Sequence, residues 1–314
     1  MPAPFSLPAS LQVFLDRRPG SELQKIHAEA SRRSFYRIRQ GKKTLVAMVY
    51  PEPAPAEVER FCALQKIYLE HRLRVPHIDR VLDDRVVLQE DLGDLLLQRA
   101  WHAASPKERQ RLLDQCREIL GRLAAVPASL TATRLDRGRL KWEMDFFVTH
   151  FSPRFRVRPV GEDDLRAQLW RLAGSIAPED TFAHRDFHSR NLLVLGKEIV
   201  MVDFQDSLVA PRYYDLVSLA FDSYLDLGPA RGRLFPNLAA FGDDRELRQL
   251  RLTALQRNIK ALGTFAFQAY ERRHKVYARY IPRTLSHIRG HLSALNDPGL
   301  AVLSKYFFAL PAFD

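Results

Sequence analysis

Apolar and polar positions divide the 314-residue chain into a strand-rich N-terminal part and a helix-rich remainder. Residues 10–18 have the spacing of a short amphipathic helix opening on Ser10. Residues 23–26, 34–39 and 44–50 are short apolar runs with a turn at 40–43, and they predict a β-meander. Pro51, Pro53 and Pro55 end it, because proline has no amide hydrogen for a strand ladder. Residues 56–71 carry Val58, Phe61, Leu64, Ile67 and Tyr68 on one helical face. Residues 81–82 and 85–89 flank Asp83-Asp84 as a second hairpin.

The chain then turns helical. Ser105-Pro106-Lys107-Glu108 is a capping box with proline at the first helical position, and that helix runs to about residue 125, before Pro127. Residues 142–151, 164–173 and 214–224 predict three more helices. Residues 245–272 predict a long one, and residues 278–295 a last one broken near Pro282. Between them, residues 192–195 and 199–202 are apolar runs around the two-residue turn Gly196-Lys197, a tight hairpin. No internal repeat or low-complexity tract interrupts this pattern. The expected fold class is α+β.

Composition narrows the class. Hydrophobic residues make up 46% of the chain, enough for a substantial core. The net charge of +11 fits nucleic acid, anionic lipid or a phosphorylated ligand, but the arginines are scattered, as on an ordinary basic surface. No nucleic-acid-binding motif accompanies them, so no nucleic-acid partner is expected. Cys62 and Cys116 form no C-x-x-C and no disulfide framework, which fits a reducing compartment. No apolar run approaches the roughly 18 residues of a membrane helix, and the first ten residues are too polar and proline-rich for a signal peptide. A cytoplasmic protein without a membrane partner is expected; its oligomeric state is not fixed by the sequence.

The chemistry concentrates in the loop ahead of the 192–202 hairpin. It holds His184, Arg185, Asp186, His188 and Asn191, and the hairpin returns Asp203 towards Asn191. An amide and a carboxylate suit a hard cation such as Mg²⁺, which keeps open positions for phosphate, and Asp186 is left as a free carboxylate. That set suits phosphoryl transfer, where a protein contributes positioning and charge neutralisation. Asp186 would accept the proton of an attacking hydroxyl, with Asn191 and Asp203 as metal ligands.

The run His184-Arg185-Asp186-Phe187-His188-Ser189-Arg190-Asn191, followed by Asp203-Phe204-Gln205-Asp206, resembles the kinase signature of a catalytic loop and a metal-binding Asp. Its H-x-D-x-H-x-x-N form, with Gln205 in place of glycine, resembles the aminoglycoside phosphotransferase and choline kinase branch. Together with Glu29-Ala30-Ser31-x-Arg33, Tyr214-Asp215-Leu216 and the helix Gln256-Arg257-Asn258-Ile259-Lys260-Ala261-Leu262-Gly263, it is similar to the anomeric sugar kinases of cell-wall recycling. Those enzymes phosphorylate the 1-hydroxyl of N-acetylmuramate and N-acetylglucosamine with ATP.

The resemblance implies a protein-kinase-like bilobal fold, with a small antiparallel β-rich lobe over residues 1–90 and a larger helical lobe over 91–314. It implies ATP and Mg²⁺ as cofactors and a small-molecule sugar as partner. It places Asp186, His188 and Arg190 in catalysis, His188 either steering Asp186 or binding substrate. Asn191 and Asp203 hold metal, and Asp215 braces the loop backbone. Ser31, Arg32, Arg33 and the hinge residues Gln89, Glu90 and Leu92 fall to the nucleotide; Glu143, Asp206, Arg257 and Lys260 fall to the sugar, Arg257 or Lys260 facing a substrate carboxylate. The phosphate-covering segment has no glycine, and Met48 stands where kinases carry a strand lysine; Arg32, Arg33 or Arg37 replaces that charge, or the metal carries it alone. An aminoglycoside or choline-type phosphotransferase is the first alternative, with Asp222 and Asp226 as the acids for a cationic substrate. A non-catalytic nucleotide-binding scaffold is the second.

Overall fold

The computed structural model describes residues 7–26, 32–155, 157, 160–235 and 244–311. The chain forms two compact units, Met1–Leu95 with Leu193–Gln205, and Leu96–Leu192 with Asp206–Asp314. The division at 90/91 read from the sequence treats the first lobe as one segment, whereas the 193–205 hairpin joins the first unit. Backbone bonds explain this: the Val194 amide donates to the Leu95 carbonyl at 2.8 Å and the Met201 amide to that of Arg74 at 2.9 Å.

In the first unit, α1 (Ala9–Asp16) precedes β1 (Glu22–Ile26), β2 (Ser34–Gln40), β3 (Lys43–Val49), α2 (Pro55–Glu70), β4 (Ile78–Val81) and β5 (Val86–Glu90). The strands form one antiparallel sheet in the order β1-β2-β3-β5-β4. Central β3 is buried at four consecutive positions, Val46 to Val49, so it reads as an apolar run rather than an alternation. On one face Ala47 and Val49, with Tyr36, Ile38, Val86 and Leu88, form a core with Leu11 and Phe14 of α1. Helix α1 begins at Ala9 behind Pro8, not at Ser10, whose side chain makes no cap. In the β4–β5 turn the Asp83 carboxylate accepts the amides of Arg85 and Val86, both at 2.9 Å, which closes the turn the aspartates predict.

The rest of the chain runs α3 (Leu97–Ala103), α4 (Pro106–Ala125), α5 (Arg137–His150), α6 (Glu162–Ser175), β6 (Thr181–Ala183), β7 (Leu192–Leu195), β8 (Glu198–Met201), β9 (Leu208–Ala210), α7 (Tyr214–Ala220), α8 (Asp244–Ala266), α9 (Ile281–Leu295) and α10 (Ala301–Ala309). The capping box of α4 is formed, Ser105 and Glu108 each bonding the other's amide. Strands β6 and β9 pair antiparallel, and β7 with β8 forms the hairpin around Gly196 at φ +60°. Pro282 does not break the last long helix. It sits in the first turn of α9, where no amide hydrogen is needed. The long helix stops at Ala266, and a π-turn over Phe267–Glu271 follows. No helix among the described residues is long and apolar enough to cross a membrane.

The core of the second unit joins α5, α6, α8, α9 and α10. Phe147 of α5 stacks on Phe151 at 5.2 Å and lies 5.7 Å from the Phe307 ring. Helices α5 and α8 meet at Gly263, where an added Cβ would fall 2.8 Å from the Phe147 Cα. Backbone cannot yield as a side chain does, so only glycine permits this approach. Gly263→Ala is expected to lower unfolding stability by about 1–3 kcal/mol, read as a lower urea midpoint at constant slope; an unchanged midpoint would show that α5 and α8 can separate freely.

Candidate active site

The 184–191 loop leaves β6 with His184 fully buried and Arg185 at φ +76°, a conformation costly for a residue with a Cβ. One buried carboxylate holds that backbone. Asp215, in the first turn of α7, accepts the amides of His184 at 2.6 Å and Arg185 at 2.9 Å. Burial pushes its pKa up to about 7, against the two donors that pull it down. A second carboxylate, Asp222, accepts the Ser189 amide at 2.8 Å and the Tyr224 amide at 2.8 Å. It is therefore a brace, not an acid offered to a cationic substrate; Asp226 is engaged by Arg231 at 3.4 Å. Within the loop, the His188 amide and the Asn191 side-chain Nδ2 both donate to the Asp186 carbonyl, at 2.9 and 3.0 Å. The Asn191 amide oxygen is thereby turned away from the bond its nitrogen makes.

Asp186 keeps 29% of its side chain exposed and pairs with Lys260 Nζ at 3.3 Å. Burial would raise its pKa, but the nearby charges of Lys260 and Arg185 outweigh it and hold the carboxyl well below the usual range. The side chain is an ionised acceptor throughout the neutral range. His188 is the reverse case: burial lowers its pKa to about 3, so the ring is neutral, and it meets the Tyr224 ring edge to face with the ring centres 4.9 Å apart. A neutral imidazole adds no positive charge beside Asp186 and keeps one N–H donor. Arg190 bonds the Tyr280 hydroxyl at 3.2 Å and lies over the Tyr224 ring at 5.0 Å.

Helix α8 supplies most of the remaining polar groups. Gln256 and Lys260, one turn apart, share a face. Gln256 donates to Glu143 at 2.9 Å, and Glu143 in turn lies 3.4 Å from Arg185. Glu143, at 1% exposure, is thus a buried partner of Arg185 and Gln256. Arg257 is 5% exposed and donates to the Ser218 hydroxyl, so it does not face an incoming carboxylate. Lys260 is directed to Asp186 rather than to a substrate anion. Asp206 is exposed at the end of the short turn Phe204–Asp206. Gln256, Ser218 and Tyr280 are site neighbours that the sequence reading did not assign to the site, and Asp222, offered there as an acid for a cation, is a loop brace instead. Gln256 had a signal in its four-residue spacing from Lys260; Ser218 and Tyr280 had none.

In the first unit, Asp203 follows β8 at φ +64°, and its side chain is 49% exposed. Its Oδ1 accepts Arg33 at 3.0 Å and Gln205 at 2.9 Å. The next residue, Phe204, anchors the segment by stacking on Phe61 at 4.8 Å. Arg33 also reaches the Met48 sulfur at 3.3 Å, so a guanidinium stands beside the position of the absent strand lysine. Arg37 is taken up by Asp91 at 2.7 Å and Asp94 at 2.9 Å. Arg32 is exposed, and Ser31 lies outside the described residues. Glu90 pairs with Arg74 at 2.5 Å, Gln89 is buried in β5, and Leu92 is buried just after it. Among the described residues no three His, Cys, Asp or Glu side chains gather as a metal cage. Mg²⁺ does not need one, since it binds through one or two protein oxygens plus phosphate.

A profile of the phosphotransferase enzyme family matches residues 22–253. The chain is 24% identical to an N-acetylmuramate/N-acetylglucosamine kinase of Pseudomonas aeruginosa, over 93% of this chain and 90% of that one. It is 27% identical to the protein of the same name from Neisseria meningitidis, over 83% of each. Among solved structures it resembles ADP-bound aminoglycoside phosphotransferase APH(2'')-Ib, with TM-score 0.61 and 15% identity over 90% of this chain and 99% of that one. It also resembles apo aminoglycoside phosphotransferase APH(4)-Ia, with TM-score 0.63 and 14% identity over 89% and 98%. These likenesses establish a protein-kinase-like fold.

Arg33→Met is expected to raise the KM for the nucleotide about tenfold, the loss of one charge-assisted bond, with Arg32→Met as the comparison. Unchanged nucleotide kinetics in Arg33→Met would remove Arg33 from the place of the strand lysine.

Proposed function

The chain belongs to the phosphotransferase enzyme family, and we propose that it is an ATP-dependent amino-sugar kinase acting on the anomeric 1-hydroxyl of N-acetylmuramate, N-acetylglucosamine or both. The names of its relatives support the sugar class. The observation that carries the reading within the site is the Asp186–Lys260 pair. A carboxylate held so far below its usual pKa is a weak base. It suits an acceptor hydroxyl more acidic than an ordinary alcohol, and the anomeric hydroxyl is one. Of the two acids considered for a cation, Asp222 is buried against Ser189 and Asp226 is engaged by Arg231, which points the same way.

In this reading Asp186 accepts the hydroxyl proton as the oxygen attacks the γ-phosphorus and the bond to ADP breaks. Lys260 fixes the Asp186 carboxylate and stabilises negative charge as it develops. Asp215 and Asp222 hold the loop backbone so that Asp186 stays aimed. The oxygen of Asn191 and the carboxylate of Asp203 are hard donors that fit Mg²⁺, which when bound neutralises phosphate charge. Arg33 adds a permanent positive charge on the nucleotide side. The Gln89 and Glu90 side chains are buried or paired within the first unit, so the adenine edge is read by the backbone beyond β5.

The test is ATP consumption with Mg²⁺ over N-acetylmuramate, N-acetylglucosamine, glucose, choline and kanamycin, with the product identified by phosphorus NMR. A sugar 1-phosphate from an N-acetyl sugar is expected; turnover confined to kanamycin or choline, or phosphate on another hydroxyl, would overturn the reading. Asp186→Asn should lower kcat by about 10²–10⁴-fold while nucleotide binding persists.

A pH profile separates the role of Lys260 from that of Asp186. Asp186 has a folded-state pKa below its free value of 3.8, so both its ionised form and the stability it contributes are lost only as pH falls through and below that value. The acid limb of kcat/KM in the unaltered enzyme is therefore not set by Asp186 in the neutral range. Without Lys260 the Asp186 carboxyl loses much of what depresses its pKa, so Lys260→Met should lose kcat/KM at mildly acidic pH where the unaltered enzyme keeps it. Superimposable profiles would show that Lys260 does not govern Asp186.

A further inference from the structure

Three aromatic side chains follow one another along α5 at four-residue spacing, Trp142, Phe146 and His150, and so share one face. The ring centres lie 5.6 Å apart for the first pair and 4.2 Å for the second. Phe267, where α8 gives way to the π-turn, meets Phe146 at 5.5 Å and His150 at 4.9 Å, both edge to face. The rings make one continuous strip. Its far end closes on the His150–Glu271 pair, at 2.6 Å. Its near end is open, for Trp142 is 60% exposed, while Phe146 and Phe267 are half-buried. Contiguous aromatic surface left to solvent marks a ligand groove.

The open end borders the catalytic loop. Phe146 Cδ1 lies 3.3 Å from the place of a Cβ on Gly263, one turn beyond Lys260, whose Nζ is 3.3 Å from Asp186. Glu143, next to Trp142 in the chain, lies 3.4 Å from Arg185, the neighbour of Asp186. The strip thus starts beside Asp186 and runs away from it between α5 and α8. Charge chooses its ligand. The acids that flank it are bonded within the protein: Glu143 to Arg185 and Gln256, Asp145 to Arg166 at 2.6 Å, and Glu271 to His150. Such a strip suits an uncharged ring better than a polycation. A pyranose presents rows of C–H bonds on its faces, and these fit the negative face of an aromatic ring. We infer that Trp142 and Phe146 are the platform for the acceptor sugar, which lies on them while its reacting hydroxyl reaches Asp186. This rests on the amino-sugar kinase reading and deepens it. A platform of this kind reads ring shape and not charge, so it serves N-acetylmuramate and N-acetylglucosamine alike.

The experiment compares kcat and KM for both sugars, and KM for ATP, in the unaltered enzyme, Trp142→Ala, Trp142→Phe and Trp170→Ala. In Trp142→Ala the KM for both sugars should rise about tenfold together, with the KM for ATP and the urea midpoint unchanged. Trp142→Phe keeps a ring and should recover most of the loss. Trp170 on α6 donates its indole N–H to Asp145 at 3.0 Å, off the strip, and Trp170→Ala should leave the sugar KM unchanged. An unchanged sugar KM in Trp142→Ala overturns the inference, and a change in sedimentation without one assigns the strip to contact between copies of the chain. A rise in the KM for ATP equal to that for the sugars also overturns it. Indole fluorescence, with ADP and Mg²⁺ present, keeps the two readings apart. If neither sugar is turned over, the kinase reading falls; the platform then stands only if N-acetylglucosamine shifts the emission of the unaltered protein and not that of Trp142→Phe.

Discussion

Two buried carboxylates hold one irregular loop by its amide hydrogens, and the arrangement of the second unit's site depends on them. Asp215 takes the amides of His184 and Arg185, and Asp222 takes that of Ser189. Each buries a carboxyl group, which is costly unless it is bonded, and backbone amides are the donors that the loop has to spare. The bonds also sustain Arg185 at φ +76°. A loop without regular structure thus acquires fixed coordinates, and Asp186 inherits them without being buried itself.

Charge is ordered outward from that loop. Glu143, fully enclosed, lies against Arg185 and accepts Gln256, while Lys260 meets the partly exposed Asp186. Burial keeps His188 neutral, which spares the loop another positive charge. Helix α8 can present Gln256 and Lys260 to these partners only because Gly263 lets it lie close against α5, which carries Glu143. Packing and electrostatics therefore share one helix crossing: a methyl group there would act on a carboxylate about one turn away along α5.

Much of this was legible in the chain. The meander, the α4 capping box and the 192–202 hairpin follow from local pattern and turn chemistry, and the structure contains all three. Strands β6 and β9 were not legible, because three residues are too few to show alternation. Pro282 misled, since proline marks a helix start as readily as a break. The spacing of Asp186, Asn191 and Asp203 was legible, and the roles proposed for them rest on it. The roles of Glu143, Arg257 and Asp222 depended on what buries them, which one chain of letters does not encode. The direction of Lys260 towards Asp186 was hidden for the same reason, although its helix had been singled out.

The thioether of Met48 has a consequence for chemical selectivity. An electrophile designed against the strand amine of a protein kinase meets a buried sulfur here, with a guanidinium alongside it from a neighbouring segment. A guanidinium neither loses its proton near neutrality nor acylates readily. Positive charge at this corner of the first unit is thus proof against the modifications that silence an ammonium group, and compounds that recognise it must do so through paired hydrogen bonds to a planar cation.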